Sequence, residues 1–137
     1  MQEGAETAEA LNALSGEILD AAIEVHRVLG GPGLLEGIYE EAMAHELQLR
    51  RLVVERQVRI PVQYKGCTLR HPLVLDLLVA GKIIVEIKSV EQFNPVYVSQ
   101  LLTYLRLTGK SLGLVINFGE RHLKTGFHRV VNNFPGF

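Results

Sequence analysis

The pattern of apolar and polar positions is most regular in the middle of the chain. Between Val53 and Tyr64, apolar residues alternate with polar ones, and this period of two predicts a β-strand. Pro61 lies inside the run and favours a position at the edge of a sheet, because proline cannot donate a ladder hydrogen bond. We expect Lys65-Gly66 to turn the chain after this strand.

Two shorter apolar runs follow, and they predict the centre of the sheet. They lie within the stretch from Leu75 to Lys88, and Ala80-Gly81 separates them. A glycine in a short break between two such runs is typical of a β-hairpin. Further strands are expected over Leu112–Phe118 and near Phe127–Val131.

Three segments show the period of about 3.6 residues that is typical of helices. The first helix is expected over Ser15–Leu29, with the Ser15 hydroxyl as its cap and Gly30-Gly31 as its stop. The second is expected over Leu35–Arg51. The third begins at Asn94-Pro95, a capping side chain followed by proline, and ends at Thr108-Gly109.

The predicted elements have the order ααβββαββ, which indicates one α/β sandwich with a mixed central sheet. A chain of 137 residues, 47% hydrophobic and 21% charged, fits a single domain over residues 1–137. Residues 1–14 precede the first predicted helix and are acidic, so we expect them to be flexible. No apolar run approaches the roughly 18 residues of a membrane span, and the N-terminal residues lack a basic leader. We therefore expect a cytoplasmic protein with no membrane association.

The candidate chemistry lies on the predicted hairpin. Pairing across its turn places Asp76 level with Glu86 to within about a residue. Strand alternation points Glu86 and Lys88 to the same face. Carboxylates are ligands that Mg²⁺ and Mn²⁺ prefer, and an ammonium beside them can orient a water and neutralise charge on a phosphate. Two acids and a lysine are what a phosphodiester-cleaving site needs, although a solvated Glu-Lys pair on an exposed strand has the same spacing.

Two polar residues of the third predicted helix share one face. Gln100 and Tyr104 are four positions apart, so they are neighbours on the helix surface. They can hydrogen-bond a nucleic-acid backbone or the water shell of a metal ion. The polar flank of an amphipathic helix has the same spacing, so the pattern alone leaves both interpretations open.

Charge is unevenly distributed along the chain. The formal net charge is −1, but six of the 15 acidic residues and only one of the 14 basic residues precede Gly31. The rest of the chain therefore carries 13 basic and nine acidic residues, with basic groups at Arg50, Arg51, Arg56, Arg59, Arg121, Lys124 and Arg129. This mild excess predicts weak or partner-assisted binding of DNA. The single cysteine and the scattered histidines argue against a zinc site.

Five motifs, in order, resemble the PD-(D/E)XK nuclease superfamily and its RecB-like branch in particular. They are Gly33-Leu34-Leu35-Glu36-Gly37-Ile38-Tyr39, then Asp76, Glu86-Ile87-Lys88, Gln100 with Tyr104, and Leu112–Phe118. The first motif reproduces the pattern that names the GxxExxY family. Leu75 stands where the superfamily motif has proline, which leaves the metal-binding Asp76 intact. The resemblance extends from Ile18 to Asn132.

The resemblance implies a restriction-endonuclease-like fold and a nuclease that hydrolyses DNA with Mg²⁺ or Mn²⁺, in DNA processing or repair. The metal ligands that the resemblance implies are Asp76 and Glu86. RecB-like nucleases also have an acid on their first helix that supports the metal site, and by resemblance Glu36 is that acid. Lys88 is the implied catalytic residue, and the glutamine and tyrosine of the third helix position the substrate. The helix dipole also favours an acid in a first turn, so Glu36 has a purely structural explanation as well.

Two other functions are compatible with the sequence. The same fold can serve as a non-catalytic module that binds nucleic acid or protein, and a small-molecule metal-binding protein would keep the ligands without cleaving DNA. The tail from Val130 to Phe137 carries Phe134 and Phe137, which either pack on the domain or remain exposed. Exposed aromatic surface commonly marks an interface, so we expect a homodimer.

Overall fold

The computed structural model describes residues 7–136, which form an α/β sandwich around a mixed sheet. Its strands are β1 (Val54–Ile60), β2 (Gln63–Tyr64), β3 (Cys67–Thr68), β4 (Leu73–Val79), β5 (Ile83–Lys88), β6 (Leu112–Asn117) and β7 (Phe127–Val131). The main sheet has the spatial order β1-β4-β5-β6-β7, and β2 and β3 form a separate hairpin. Within the main sheet β5 and β6 pair in parallel, whereas the other neighbours are antiparallel.

Three helices flank the main sheet. They are α1 (Ala8–Val28), α2 (Glu36–Leu49) and α3 (Val96–Thr108). A 3-10 turn over Leu123–Gly126 precedes β7. The restriction-endonuclease-like architecture and the order ααβββαββ are thus confirmed for the helices and the main sheet.

The prediction of one long strand from Val53 to Tyr64 is wrong in its second half. β1 ends at Ile60, because the following Pro61 has no N–H to continue the ladder. The residues after the proline pair instead with β3, across a turn at Lys65-Gly66 with φ of 47° and 81°. The edge position that the proline indicated is confirmed, since β1 is the first strand of the sheet.

The predicted start of the first helix at Ser15 is wrong. Thr7 is the N-cap, and its Oγ1 accepts the N–H of Ala10 at 3.0 Å. Leu11 and Ser15 are both buried on the inner face of α1. Packing of these two additional turns against the domain explains why residues 8–14 belong to the helix. The rest of the predicted flexible segment, residues 1–6, lies outside the described residues.

The third helix follows its predicted boundaries. Oδ1 of Asn94 accepts the N–H of Val96 at 3.0 Å, and Pro95 precedes the first helical residue. Gly109 ends the helix with a φ of 71°, a left-handed conformation that favours glycine. α3 can lie close to the sheet because Gly113 has no side chain: a Cβ there would be 2.8 Å from Leu101.

Two apolar cores lie on the two faces of the sheet. The core under α1 and α2 includes Ile18, Tyr39, Met43, Leu47, Leu77, Val85 and Ile116. The smaller core under α3 includes Leu75, Ile84, Leu101, Leu105 and Val115. The central strands are buried on both faces, which explains their nearly continuous apolar sequence.

Exposure of the C-terminal tail, which suggested a homodimer, is contradicted at Phe134. This side chain is 7% exposed and belongs to the core under α1 and α2. The ring also lies 5.5 Å from the guanidinium carbon of Arg129. Phe137 lies outside the described residues, so the homodimer stays a prediction without its main support. Within residues 7–136, no helix combines the length and the apolar character needed to cross a membrane.

Candidate active site

The hairpin of β4 and β5 brings the two predicted carboxylates together. Its turn, Ala80-Gly81, has φ of 54° and 66°, as the tight turns of hairpins require. The ladder is regular from this turn to the pair Leu77 and Val85. Beyond that pair the strands are joined through the side chains of Asp76 and Glu86 instead.

Each carboxylate accepts a main-chain hydrogen bond from the opposite strand. The N–H of Asp76 donates to Oε2 of Glu86 at 2.9 Å, and the N–H of Ile87 donates to Oδ2 of Asp76 at 2.8 Å. Hydrogen bonds to charged oxygens are stronger than those between neutral groups, so these contacts hold the strand ends in place. The predicted alignment of the two acids is confirmed, but their role in joining the strands was not foreseen.

The face to which side chains point changes along both β1 and β4. In β4, Leu75 packs under α3, whereas Leu77 and Val79 pack under α1 and α2. In β1, Val58 packs under α3, whereas Val54 packs on the other face. Residues two apart on a regular strand share a face, so both strands rotate between these positions.

The rotation occurs at Gln57 and Asp76. These residues are opposite each other, flanked by regular pairs on both sides, and they form no ladder pair themselves. Gln57 has a φ of 50°, a left-handed conformation that is uncommon for a residue with a side chain. Such irregularities redirect side chains and are frequent beside active sites. Here the irregularity coincides with the proposed metal-binding aspartate.

Burial raises the pKa of both carboxyl groups, and the charges of neighbouring acids raise it further. Burial, and next the Asp76 charge, raise the pKa of Glu86 to about 8, although the Asp76 N–H and Lys88 act in the opposite direction. Burial also raises the pKa of Asp76, partly offset by the Ile87 N–H. The hydrogen bonds and the positive charge of Lys88 therefore stabilise the ionised forms of the two acids less than burial and nearby acids destabilise them.

Lys88 ends β5 on the same face as Glu86, as predicted. Its Nζ lies 4.5 Å from the centroid of the Tyr97 ring on α3. Tyr97 meets Phe93 edge to face at 5.4 Å, and Phe93 stacks on His128 at 4.0 Å. This row of rings limits the positions that the ammonium can take. Sequence reasoning missed Tyr97, because nothing in its spacing relates it to a lysine nine positions earlier.

The strand end that carries Lys88 is fixed by the residues after β6. The N–H of Phe118 donates to the Lys88 carbonyl at 2.8 Å. The fully buried Asn117 binds Val90 twice, since Oδ1 accepts its N–H at 3.0 Å and Nδ2 donates to its carbonyl at 3.1 Å. A Cβ at Gly119 would lie 2.2 Å from the Val90 oxygen, so only glycine fits there. The Leu112–Phe118 motif thus supports the lysine structurally.

Glu36 lies at the edge of the carboxylate pair. It is exposed at the start of α2, and its Oε2 accepts the N–H of Ser89 at 3.4 Å, a long hydrogen bond. Its charge contributes to raising the pKa of Asp76, so it is within electrostatic reach of the site. The structure brings Glu36 near the end of β5, but it does not place it between the other two acids.

Tyr39, the tyrosine of the first motif, is a structural residue. It is fully buried and stacks on Phe118 with a centroid distance of 4.6 Å. Its hydroxyl donates to the Gly31 carbonyl at 2.7 Å and accepts the Leu34 N–H at 3.2 Å. Tyr39 thereby ties the glycine-rich loop before α2 to the end of β6.

The two predicted residues of α3 differ in their relation to the site. Tyr104 is half-buried, and its pKa is raised by burial and by the charges of Glu86 and Asp76, which places the phenol near the carboxylates. Gln100 lies exposed one turn earlier on the same helix. The predicted common face is confirmed, and only Tyr104 is in electrostatic contact with the acids.

Sequence reasoning missed a further acid near the site, Glu40 of α2. Glu40 is only 8% exposed and lies one helical turn after Glu36. Its Oε2 accepts a hydrogen bond from Arg56 at 3.1 Å, and its Oε1 accepts one from Gln57 at 2.8 Å. Two acids four positions apart on a helix were the available signal, but burial distinguishes Glu40 only in the folded chain.

An open groove of about 420 Å³ begins where β5 ends. Its walls are the glycine-rich loop, through Gly33 and Leu34, and the segment after Lys88, through Ser89 and Val90. The hydroxyl of Ser89 donates to the Leu34 carbonyl at 2.7 Å and joins the two walls. The groove therefore adjoins the strand end that carries Lys88, but the lysine does not line it.

The family profile of the PD-(D/E)XK nuclease superfamily matches residues 12–130. The chain belongs to the PD-(D/E)XK nuclease superfamily. No curated protein and no solved structure gives a significant match. Members of this superfamily generally use divalent metals, and the match supports a nuclease with DNA as its substrate class.

The residues of this PD-(D/E)XK domain fit a divalent cation through two acids. Asp76 and Glu86 offer hard oxygen donors whose charge is incompletely compensated, and Mg²⁺ usually needs only one or two protein carboxylates besides water. Within residues 7–136, no three His, Cys, Asp or Glu side chains are close enough together to hold a metal ion. The predicted trio with Glu36 is therefore not assembled, because Glu36 lies exposed beside Ser89.

Proposed function

We propose that the protein is a nuclease that hydrolyses DNA phosphodiester bonds with Mg²⁺ or Mn²⁺, and that it belongs to the GxxExxY family of the RecB-like branch. The observation that carries this proposal is that Asp76 and Glu86 lie side by side where the ladder between β4 and β5 ends. Lys88 follows two positions after Glu86 on β5. DNA processing or repair is the proposed setting.

The proposed roles follow from where each side chain lies. Asp76 and Glu86 would hold the divalent cation, with Glu36 as a supporting acid at the edge. When bound, the cation would polarise the scissile phosphate and lower the pKa of a nearby water. Lys88, held over the Tyr97 ring, would orient that water and neutralise charge that develops on the phosphate.

Tyr104 and Gln100 would complete the substrate side of the site. The Tyr104 phenol lies near the two carboxylates and can donate a hydrogen bond to a phosphate oxygen. Gln100 is exposed one turn earlier and can contact the backbone of the next nucleotide. These two residues would position DNA without taking part in bond cleavage.

Exposed basic groups in the loop after β6 support a nucleic-acid substrate. Because β5 and β6 are parallel, the loop that follows β6 starts at the sheet edge where β5 ends. This loop exposes Arg121, His122 and Lys124. Other predicted basic contacts are occupied internally, since Arg56 binds Glu40 and Arg129 binds Asn12. DNA is therefore expected to approach along the β6 loop.

The test is cleavage of labelled single-stranded and double-stranded DNA with Mg²⁺, with Mn²⁺ and with a chelator. Lys88→Ala should reduce turnover by about 10²- to 10³-fold or more, because it removes charge stabilisation at the phosphate. The same variant should bind Mn²⁺ like the wild type, because the lysine does not contact the ion. Lys65→Ala, a lysine on the distant β2–β3 turn, is the matched control.

Equal cleavage by the wild type and Lys88→Ala would assign the activity to a contaminant. DNA binding without cleavage under every metal condition would instead favour the non-catalytic module. Mn²⁺ binding with neither DNA binding nor cleavage would favour a small-molecule metal-binding protein.

A further inference from the structure

Glu40 is a buried acid whose two oxygens are both engaged. Arg56 donates to Oε2 and Gln57 donates to Oε1, at 3.1 and 2.8 Å. The Arg56 side chain is 42% exposed, whereas that of Glu40 is 10% exposed. Glu40 therefore acts on its surroundings through these two partners and through its charge.

Gln57 links this acid to the proposed metal site. It lies opposite Asp76 at the point where β1 and β4 rotate, and its backbone is in the left-handed region with a φ of 50°. The Gln57 amide bonds to Glu40 on α2, so the helix holds the strand at the irregular position. A conformation of this kind persists only where surrounding contacts enforce it.

A purely stabilising role explains this arrangement poorly. The ion pair of Glu40 with the exposed Arg56 contributes little net stability, because solvent screens its attraction on one side and desolvation of the acid offsets it on the other. The Glu40 charge also adds to the repulsion at the site, since it raises the pKa of both Asp76 and Glu86. Together with the backbone conformation of Gln57, these are costs for the protein alone. A cation bound to the carboxylate pair would offset them.

We propose that Glu40 and Gln57 are positioning residues for the divalent cation. Gln57, held by Glu40, keeps β4 rotated so that Asp76 faces Glu86, and the Glu40 charge strengthens the attraction for the cation. Arg56 orients the Glu40 carboxylate from the solvent side. This inference rests on the proposed function, and it assigns residues that the superfamily motifs of the chain do not include.

The test is Mn²⁺ affinity, measured by titration calorimetry on the full chain without DNA. Glu40→Gln keeps an acceptor for Gln57 but removes the charge, and we expect it to weaken Mn²⁺ binding by about 10- to 100-fold, as losses of such supporting contacts do. Gln57→Gly removes the amide and is compatible with a φ of 50°, so we expect a folded protein with affinity weakened by about tenfold. Glu41→Gln, the adjacent exposed acid on α2, should bind Mn²⁺ like the wild type.

Thermal unfolding without metal accompanies each titration. Weaker Mn²⁺ binding in Glu40→Gln and Gln57→Gly, but not in Glu41→Gln, supports the proposal. Unchanged affinity in both variants overturns it, and so does a lower melting temperature without a change in affinity, because that result indicates a structural role alone. Asp76→Asn separates the two proposals. If the wild type binds Mn²⁺, Asp76→Asn does not, and Glu40→Gln does so normally, only this inference fails. A wild type that binds no Mn²⁺ overturns the proposed metal site as well.

Discussion

The two ends of the β4–β5 hairpin are held together by different interactions. Near the turn, Val79 pairs with Ile83 in a regular ladder, and both side chains are fully buried among apolar neighbours. At the other end the carboxylates of Asp76 and Glu86 each accept a main-chain N–H of the opposite strand in place of ladder hydrogen bonds. Burial and the charges of nearby acids raise the pKa of both groups there. Apolar packing thus stabilises one end of the two strands, and the proposed chemistry lies at the other end.

The largest expected effect comes from the regular part of the hairpin. Leu77→Ala should lower the free energy of unfolding by about 2–5 kcal/mol, because it leaves a cavity in the core under α1 and α2. Mn²⁺ affinity of the folded fraction should change little, since the Leu77 side chain points away from the carboxylates. Denaturant unfolding and Mn²⁺ titration measure the two quantities separately. A large loss of affinity at unchanged stability would show that the ends are not independent.

The next effect is a pH dependence that originates at the irregular end. The folded-state pKa of Glu86 is about 8, above its ordinary value of 4.5. The protonated form is thus favoured by folding, and the associated stability is present below pH 4.5 and lost as the pH rises through 8. Without metal, stability should fall by up to about 1.4 kcal/mol per pH unit in this window. Glu86→Gln should remove this slope, and a wild-type slope that persists in the variant would assign it elsewhere.

Cation binding should show the opposite dependence on pH. A carboxylate must be deprotonated to bind a metal ion, so Mn²⁺ affinity should rise by up to about tenfold per pH unit between pH 6 and 8. Calorimetry in two buffers with different ionisation enthalpies should detect the released proton. Affinity that is independent of pH over this range would contradict the shifted carboxyl group.

The smallest expected effect is a stabilisation. Above pH 8, where Glu86 is also ionised, Asp76→Asn removes one of two like charges from the pair, so it should raise the stability of the metal-free protein by about 1 kcal/mol, a few degrees in Tm. Mn²⁺ should then no longer stabilise the variant. At about a hundred times its dissociation constant, Mn²⁺ should stabilise the wild type by roughly 2.7 kcal/mol. Thermal unfolding with chelator and with Mn²⁺ measures both, and a less stable metal-free variant would show that the Asp76 hydrogen bond outweighs the repulsion.

The fold was predictable where its determinants are local in sequence. Asn94-Pro95 and Gly109 define α3 through their own backbone preferences, and Ala80-Gly81 does the same for the hairpin. The start of α1 was missed because Thr7 and Ser15 are both suitable caps. Only the burial of Ser15 in the packed helix decides between them.

The candidate site was predictable only in part, for a related reason. Hairpin pairing aligns Asp76 with Glu86 by counting residues from the turn. The positions of Glu40 and Gln57 depend on a contact between α2 and β1 that spans 17 positions, and the rotation of β1 follows from how the two cores pack. No local pattern specifies either feature, so the part played by Glu40 emerged only from the folded chain.

The central claim is that the metal site lies between β4 and β5, at Asp76 and Glu86, where the ladder between the two strands ends. The most direct measurement is a crystal structure of the protein soaked with Mn²⁺, with anomalous scattering to locate the ion. We predict a Mn²⁺ ion bound by the carboxylates of Asp76 and Glu86, with Lys88 close by and Glu40 still held by Arg56 and Gln57. An ion bound elsewhere, or no ion at this pair at saturating Mn²⁺, would contradict the account.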